Sequence, residues 1–372
     1  MSDEINQSRI ERRSKRRKRR KYLLFILIPL LAVFIGVSSY AAYLYVKAES
    51  VFSKSYEEDG RDKSELREKA VDPSEDNVSI LIAGVDASDV RNNSDGARTD
   101  TLMLATLNKD EKSVRLLSIP RDSYVYIPEV GYKTKINHAH HHGGMPATIE
   151  TVEQLMDIPV DYYVKLNFEA FIDVVNSLNG ITTEVPYELY EQNSDDVEGA
   201  IHLQAGEQKL NGEEALALAR TRKLDNDIER GKRQQQIIKA VVDKATSIGS
   251  ITKIDNVIEA VGSNMTTNMT FDEMKSFVSY GLEGTGIDFK TMTLQGSDWW
   301  TDNGYYWQLD QVALKETRRK LKEHLELIEK RDSEGAQGSS DSADRNDDAS
   351  VGSGSNDTSS YGGESSTQND SY

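Results

Sequence analysis

The chain has 372 residues and no cysteine, so disulfides and thiolate metal sites are excluded, and its length allows one large or two ordinary domains. The formal net charge of −17 resides in residues 22–330, because the +7 of residues 1–21 cancels the −7 of residues 331–372. Arginine clusters within that acidic middle region run against its average charge and are therefore informative about function.

Residues 22–46 form 25 consecutive uncharged positions, most of them apolar. As a helix this run extends roughly 37 Å, enough to cross a hydrocarbon core of about 30 Å with some tilt. A cleaved signal peptide is the alternative, but its apolar core usually spans only about 7–15 residues. The run therefore predicts an uncleaved transmembrane anchor.

The basic residues 1–21, which include "RRSKRRKRRK", precede this anchor. They predict a cytoplasmic N-terminus and a single-pass type II protein of the cell membrane, with everything after residue 46 extracellular. A basic run can also be a nucleic-acid-binding arm. Orientation and contact with anionic lipid headgroups explain it here, so no nucleic-acid partner is expected.

The sequence predicts three further segments after the anchor. Residues 47–75 are charged and weakly patterned, which is typical of an extracellular stalk, and residues 76–330 contain the regular elements of a folded domain. Residues 331–372 are rich in Ser, Gly, Asp and Asn. Such a composition buries too little apolar surface to fold, so we expect an acidic, disordered tail.

Short apolar runs alternate with helical patterns in the folded segment. The predicted strands cover 78–86, 100–108, 113–120, 161–167, 180–186 and 288–294. The predicted helices cover 147–156, 168–178, 212–220, 228–247, 271–282 and 309–330. This order predicts an α/β domain with a central mixed β-sheet flanked by helices.

Carboxylates and arginines stand at the ends of the first three predicted strands. Asp86 ends the first, Arg98 and Asp100 open the second, and Arg121 and Asp122 end the third. Open sheets bind ligands at such strand ends. Walker and dinucleotide phosphate loops, the G-x-S-x-G nucleophile motif and thiols are absent from the sequence.

A second cationic cluster lies in "ARTRKLDNDIERGKRQQQ", residues 219–236. Arg230 and Gln234 are four residues apart and share a helix face, while Arg220 and Arg222 end the preceding helix. Arginines in this arrangement can clamp phosphate oxygens, and Asp227 is a plausible N-cap of the second helix. Surface ion pairing with the surplus Asp and Glu is the alternative, and spacing alone does not decide between the two.

The motifs together resemble the LytR–CpsA–Psr family. They are, in order, "AGVD", "RTDTLML", "SIPRDSYVYIP", "KINHA", "LNGITTEVP" and "ALALARTRKLDNDIERGKRQQ", preceded by the anchor. The resemblance covers roughly residues 76–250 and extends plausibly to 327. It implies an α/β enzyme that moves an anionic glycopolymer, such as a teichoic acid or capsule polymer, from an undecaprenyl-pyrophosphate carrier to peptidoglycan in a Gram-positive envelope.

The resemblance also implies roles for individual residues. Asp86 and Asp100 match aspartates associated with Mg²⁺, with Mn²⁺ as the alternative ion. Asp227 matches an acidic residue for which a capping or a catalytic role is open. The pyrophosphate-contacting positions are matched by Arg98, Arg121, Arg220, Arg222, Arg230 and Gln234. The family holds its lipid in an apolar tunnel, and the "FEAFIDVV" helix is a candidate for its wall.

The implied reaction is attack of a sugar hydroxyl on the polymer-side phosphorus, with polyprenyl phosphate as leaving group. Positioning and charge neutralisation supply most of the catalysis of such transfers. Asp122 or a metal-bound aspartate is a candidate base. A polyprenyl-pyrophosphate hydrolase, a regulator and a non-catalytic scaffold that binds anionic wall polymer are the alternative functions.

The run "INHAHHHGG" departs from the family pattern at its later histidines. Clustered histidines can bind a transition metal, but a polar loop beside Gly143 and Gly144 is the more frequent explanation. We therefore expect a loop that contains His138, His140, His141 and His142.

Overall fold

The computed structural model describes residues 2–85, 99–221, 226–246, 262, 265–282 and 287–330. Its helices are α1 (Ser2–Ser55), α2 (His138–Met156), α3 (Phe168–Ser177), α4 (Gly212–Arg220), α5 (Asp227–Ala245), α6 (Phe271–Leu282) and α7 (Gln311–His324). The strands up to α3 are β1 (Val78–Val85), β2 (Thr99–Asn108), β3 (Ser113–Ser118), β4 (Tyr124–Ile127), β5 (Tyr132–Lys135) and β6 (Tyr162–Leu166). Later strands are β7 (Ile181–Val185), β8 (Leu189–Glu191), β9 (Ile201–Leu203), β10 (Gly206–Leu210), β11 (Met265–Thr267), β12 (Asp288–Thr293), β13 (Gly296–Thr301) and β14 (Gly304–Leu309).

Six strands form the central sheet, in the order β11-β6-β1-β2-β3-β12. β1, β2 and β3 are joined by antiparallel pairing, while β6 runs parallel to β1 and β12 runs parallel to β3. The sheet is therefore mixed, and the predicted α/β fold with a mixed central sheet is confirmed. The sequence of β1 is almost continuously apolar, because helices cover both faces of this strand.

Alternation along β2 divides the interior into two layers. Leu102 and Leu104 face one core cluster, which also contains residues of α2 and α7. Met103 and Ala105 face another, against which residues of α5 and α6 pack. Successive side chains of a strand point to opposite faces, so this one strand contributes to both layers. A third cluster joins α3, α4 and α5 to the strands from β7 to β10.

α1 continues without interruption past the apolar run. Its segment Leu27–Ser55 is long and apolar enough to cross a membrane, and none of the apolar stretch is buried inside the protein. The end of the helix packs on α6: the ring of Phe52 lies 6.0 Å from that of Phe271, and Tyr45 meets the same ring at 5.4 Å. The Ser55 hydroxyl donates to the carbonyl of Gly262 at 2.6 Å.

The segment between α1 and β1 is attached to the domain through two arginines. Arg67 forms an ion pair of 2.7 Å with Asp161, and Arg61 forms one of 3.3 Å with Glu153. Much of the predicted stalk 47–75 thus lies against the folded part. The boundaries of the five predicted segments remain predictions.

Two expectations about helices are wrong. The histidines lie in the first turns of α2 and not in a loop, because the helix begins at His138 and bends at Gly143 and Gly144. Gly144 has φ of 62°, a conformation that favours glycine. α7 ends at His324 and not at residue 330.

The strands that sequence patterns did not indicate are short hairpin strands outside the central sheet, together with β11 at its edge. β4 pairs with β5, β8 with β9, β10 with β7 and β13 with β14.

Candidate active site

The second arginine cluster comes together through the turn between α4 and α5. Asn226, and not Asp227, is the N-cap of α5, since its side chain accepts hydrogen bonds from the amides of Ile228 and Glu229. The predicted cap at Asp227 is therefore wrong. As the first residue of the helix, Asp227 keeps its carboxylate available for arginine.

α5 lies close against β3, which fixes the position of its first turns. A side chain at Gly231 would come within 2.7 Å of the Ser118 hydroxyl, so glycine permits this approach. One turn further on, the Gln235 amide donates to the carbonyl of Leu116 at 3.0 Å. Arg230, between these contacts and the helix start, is only 6% exposed.

Arg121 lies at the centre of a carboxylate cluster. Its Nη1 donates to the side chain of Asp100 at the start of β2. Its Nε lies 3.6 Å from Oδ2 of Asp122 and 3.7 Å from Oδ2 of Asp227. Arg230 joins the cluster through an ion pair of 3.3 Å with Asp227 and a hydrogen bond of 3.3 Å to the backbone carbonyl of Asp100. Residues from β2, the end of β3 and α5 therefore meet in one network.

The cluster gives its two buried carboxyl groups, those of Asp122 and Asp227, different pKa values. Burial tends to raise the pKa of Asp122, but hydrogen bonds from Lys135 and Asp227 outweigh burial and lower it. Burial raises the pKa of Asp227 despite the opposing charge of Arg230, and its hydrogen bond with Asp122 adds to the rise. The two pKa values therefore shift in opposite directions, so that a proton shared by the pair favours Asp227.

Arg121 keeps its positive charge although its side chain is largely buried. Burial works against its charged form, yet its pKa is raised because neighbouring carboxylates outweigh burial. Those carboxylates belong to Asp100, Asp227 and Asp122.

A cavity of about 640 Å³ opens beside this cluster. Its charged and amide lining includes Asp100, Arg121, Arg220, Arg230 and Gln234. Its apolar lining includes Ile82, Leu166, Phe168, Phe171, Leu216, Ala219, Ile237 and Ile238. The volume lies within the range of about 300–1,000 Å³ usual for small-molecule sites.

The residues that line the cavity change from charged to apolar along its length. On α5, Arg230 and Gln234 precede Ile237 by two turns and one turn, and each turn rises about 5.4 Å. On α3, Phe168 and Phe171 add aromatic surface, so the predicted "FEAFIDVV" helix does line an apolar space. The cavity is therefore cationic at one end and apolar at the other.

Arg220 is held at the cavity by two contacts. Its guanidinium lies 4.8 Å from the centre of the Phe168 ring, and Nη2 lies 3.5 Å from a carboxylate oxygen of Asp196. Its Nη1 is buried and has no hydrogen-bond partner among the described residues. Such a donor suits an anionic ligand in the cavity.

The structure thus brings together five of the eight predicted site residues: Asp100, Arg121, Arg220, Arg230 and Gln234. Asp86, Arg98 and Arg222 lie outside the described residues. Val85, directly before Asp86 in the sequence, pairs with Thr99, the neighbour of Asp100.

Arg233, which belongs to the same basic stretch, has a different position. It is 5% exposed and donates to the backbone carbonyls of Leu218 and Thr221, which ties α5 to α4. It is not among the residues that line the cavity.

Sequence reasoning missed Lys135, whose ammonium lies 2.7 Å from Oδ1 of Asp122. Lys135 begins the "KINHA" motif, but its place at the site depends on the pairing of β4 with β5, which sets it opposite Tyr124.

The histidines of α2 have local partners. Nδ1 of His138 lies 3.0 Å from the Thr134 hydroxyl, and the rings of His141 and His142 meet edge to face at 5.2 Å. Within the described ranges, no group of three or more His, Cys, Asp or Glu side chains is placed to hold a metal ion.

An α/β domain behind a helix that can span a membrane, with a cavity that joins arginines to an apolar wall, defines a class of membrane-associated proteins that bind amphiphilic anions. The sequence matches the LytR–CpsA–Psr family over residues 42–323, and the chain belongs to that family.

Relatives and solved structures agree with this assignment. The polyisoprenyl-teichoic acid–peptidoglycan teichoic acid transferase TagT of Bacillus subtilis is 38% identical over 294 residues, 78% of this chain and 90% of TagT. The transferase TagU of the same organism is 39% identical over 322 residues, 86% of this chain and 99% of TagU. A structure of TagT with bound octaprenyl pyrophosphate lipid matches with a TM-score of 0.58 and 36% identity, over 72% of this chain and 97% of that one.

Proposed function

We propose that this protein transfers an anionic glycopolymer, such as a teichoic acid, from a polyprenyl-pyrophosphate carrier to peptidoglycan. The observation that carries the proposal is the cavity, whose arginine end suits a pyrophosphate and whose apolar end suits the adjoining polyprenyl chain. The names of the relatives TagT and TagU and the lipid bound in a TagT structure support the same substrate class.

In the proposed reaction, an acceptor sugar hydroxyl attacks the phosphorus that carries the polymer. A new P–O bond forms to the acceptor, the P–O bond between the two phosphates breaks, and polyprenyl phosphate leaves with the electron pair. Asp122, whose carboxylate lies beside Arg121 and Lys135, accepts the hydroxyl proton.

The arginines stabilise the charge that develops on the phosphate oxygens. Arg121, Arg220 and Arg230 line the cavity from three different elements, so their guanidinium groups can contact both phosphates of the carrier. Planar guanidinium forks are suited to bidentate bonds with phosphate oxygens. Their buried surroundings strengthen these bonds relative to water. Arg98, Arg222 and Gln234 complete the proposed pyrophosphate site.

Mg²⁺ is the proposed cofactor, with Mn²⁺ as the alternative. The Asp100 carboxylate lines the cavity, and carboxylate oxygens are the ligands that hard divalent cations prefer, which supports this part of the proposal. Val85, which precedes Asp86 in the sequence, pairs with Thr99, which precedes Asp100. Asp86 and Asp100 would hold the ion, which when bound neutralises charge on the pyrophosphate.

The proposed location is the outer face of the cell membrane. α1 would act as a single-pass type II anchor, with the basic residues 1–21 in the cytoplasm. The active site would then lie outside, where both the lipid carrier and peptidoglycan are accessible to it.

The test is incubation of the purified full-length protein with lipid-linked polymer and polymer-free glycan strands, with and without Mg²⁺. We expect polymer covalently attached to glycan and released polyprenyl phosphate in equal amounts, and neither product from Asp100→Ala. Free phosphorylated polymer without attachment would identify a hydrolase. Binding of the polymer without turnover in Mg²⁺ would identify a scaffold, and either result would refute the proposal.

A further inference from the structure

A hairpin rich in aromatic residues lies beside the active site and has no part in the proposed phosphate chemistry. It consists of β13 and β14, and we refer to it as the aromatic hairpin. Trp299 pairs across the strands with Tyr306, and Trp300 pairs with Tyr305. All three tryptophans of the chain, Trp299, Trp300 and Trp307, lie in it.

The two cross-strand pairs have different surroundings. Trp299 and Tyr306 both pack against Tyr124 of β4, with ring centres 5.0 Å apart in each case. This cluster anchors the hairpin to the domain. Trp300 and Tyr305 point to the other face, with ring centres 5.1 Å apart, and Trp300 remains 73% exposed.

The hairpin is connected to the carboxylate cluster of the active site. The backbone amide of Trp307 donates to the carbonyl of Asp122 at 2.8 Å. The ammonium of Lys135, which pairs with Asp122, lies 6.0 Å from the centre of the Tyr305 ring and 5.7 Å from that of Tyr306. The exposed pair is therefore continuous with the group assigned to accept the proton of the acceptor.

The position of the hairpin separates it from the membrane anchor. It directly follows β12, which is one edge strand of the central sheet. α1 contacts α6 and β11, and β11 is the opposite edge strand. The exposed tryptophan thus lies on the side of the domain away from the point where the anchor enters.

The chemistry of the pair suits a sugar. The C–H face of a pyranose ring stacks on flat aromatic rings, while its hydroxyls need polar partners at the edge. Tyr305 provides such an edge, because its hydroxyl is bonded to Asp298 at 2.9 Å and Lys135 lies beside it. Amphipathic aromatic residues of this kind are favoured at binding surfaces with a wet rim.

We propose that Trp300 and Tyr305 of the aromatic hairpin bind the acceptor glycan strand, by stacking against a hexosamine ring and presenting a neighbouring hydroxyl to the active site. The proposal rests on the proposed transfer function. It assigns the acceptor glycan, which is the second substrate of that reaction, to the surface of the aromatic hairpin. A phospholipid surface is the less suitable occupant, given the polar Asp302 and Asn303 at the hairpin turn and the distant anchor.

The test compares the full-length wild type with Trp300→Ala in detergent micelles. With saturating lipid-linked donor, we expect the variant to show about a tenfold higher KM for uncrosslinked, polymer-free glycan strands, the size expected for one lost aromatic contact. Its kcat at saturating glycan and its KM for the donor should stay within about twofold of the wild type. Trp300→Phe should keep most of the glycan affinity, because it retains a stacking ring. Tyr190→Ala, which removes an exposed aromatic ring from the β8–β9 hairpin, should behave as the wild type.

A direct binding measurement needs no donor. Because the aromatic hairpin contains every tryptophan, intrinsic tryptophan fluorescence reports on this hairpin, and glycan strands should shift it in the wild type and much less in Trp300→Ala.

The outcomes distinguish this proposal from the proposed function. If the wild type transfers polymer and Trp300→Ala has an unchanged KM for glycan, the acceptor surface is refuted and the transfer function stands. If the wild type transfers no polymer yet shows the Trp300-dependent fluorescence shift, glycan binding stands and the transfer function fails. A shift caused by anionic phospholipid vesicles and not by glycan would assign the hairpin to the membrane and overturn the proposal.

Discussion

Replacement of Arg230 by alanine tests the pyrophosphate site most directly. The change removes an ion pair with Asp227, a hydrogen bond to the carbonyl of Asp100 and one guanidinium from the cavity wall. Removal of one preorganised donor at a site of developing charge typically lowers kcat about 10²–10³-fold. We expect a loss of that size in polymer transfer.

The effect of this variant on stability should be smaller. Asp227 already has a raised pKa and can take up a proton, and Arg121 lies 3.7 Å from it, so its carboxyl group is not left as an isolated buried charge. A cost of about 1–3 kcal/mol in the free energy of unfolding is expected for the lost charged contacts. Arg230→Lys should recover part of the activity, because it restores the charge without the planar fork.

Arg233→Ala is the matched control, since Arg233 lies one turn away on α5 and is equally buried. Its bonds go to backbone carbonyls of α4, so its loss should lower Tm while the activity per folded molecule stays close to that of the wild type. The assay measures the initial rate of polymer attachment to glycan strands, with Tm followed by circular dichroism. Transfer by Arg230→Ala within about threefold of the wild type would refute the assigned role.

Three further predictions concern the metal, the lipid and pH. Asp100→Asn should reduce transfer at least about 10²-fold and abolish its stimulation by added Mg²⁺, whereas stimulation equal to that of the wild type would exclude this carboxylate as a ligand. Leu216→Trp, which fills the apolar end of the cavity, should raise the KM for a long-chain polyprenyl donor more than that for a short-chain analogue, and equal effects would show that the chain lies elsewhere. Burial lowers the pKa of His324 to about 4, and its ring bonds the hydroxyls of Thr106 and Ser113. Because the unfolded chain binds this proton near pH 6.5 and the folded chain does not, stability is full above pH 6.5 and falls by up to about 3 kcal/mol as pH drops to 4. Urea unfolding of the wild type and of His324→Gln should show a smaller loss for the variant over that window, and identical losses would contradict the assignment.

The predicted site residues were found from sequence because their motifs are local. Arg230 and Gln234 share one face of a helix by spacing alone, and Asp100 and Arg121 stand at strand ends, where chain direction already limits their position. Their convergence depends on strand pairing and on the approach of α5 to β3 at Gly231. Such long-range contacts leave no periodic signal, which is why Lys135 was missed.

The errors have equally specific causes. Asp and Asn are both good N-caps, and the segment "LDNDIER" places Asn226 directly before Asp227, so that the sequence offers two adjacent choices, of which the chain uses Asn226. The aromatic hairpin carried a recognisable signal, since "TDNG" (301–304) separates two aromatic runs and Asp, Asn and Gly are typical of tight turns. The histidine segment is helical because Gly144 takes up the bend that a helix would otherwise resist.

If α1 is the proposed type II anchor, its continuity limits how far from the membrane the domain can act. About nine residues separate Val46 from Ser55, a rise of roughly 14 Å, and the end of the helix is clamped on α6 by stacked rings. Because this connection is short and stiff, the domain can move only a small distance away from the membrane surface. Under the proposed function and topology, the glycan strands that it can modify are therefore those nearest the lipid bilayer.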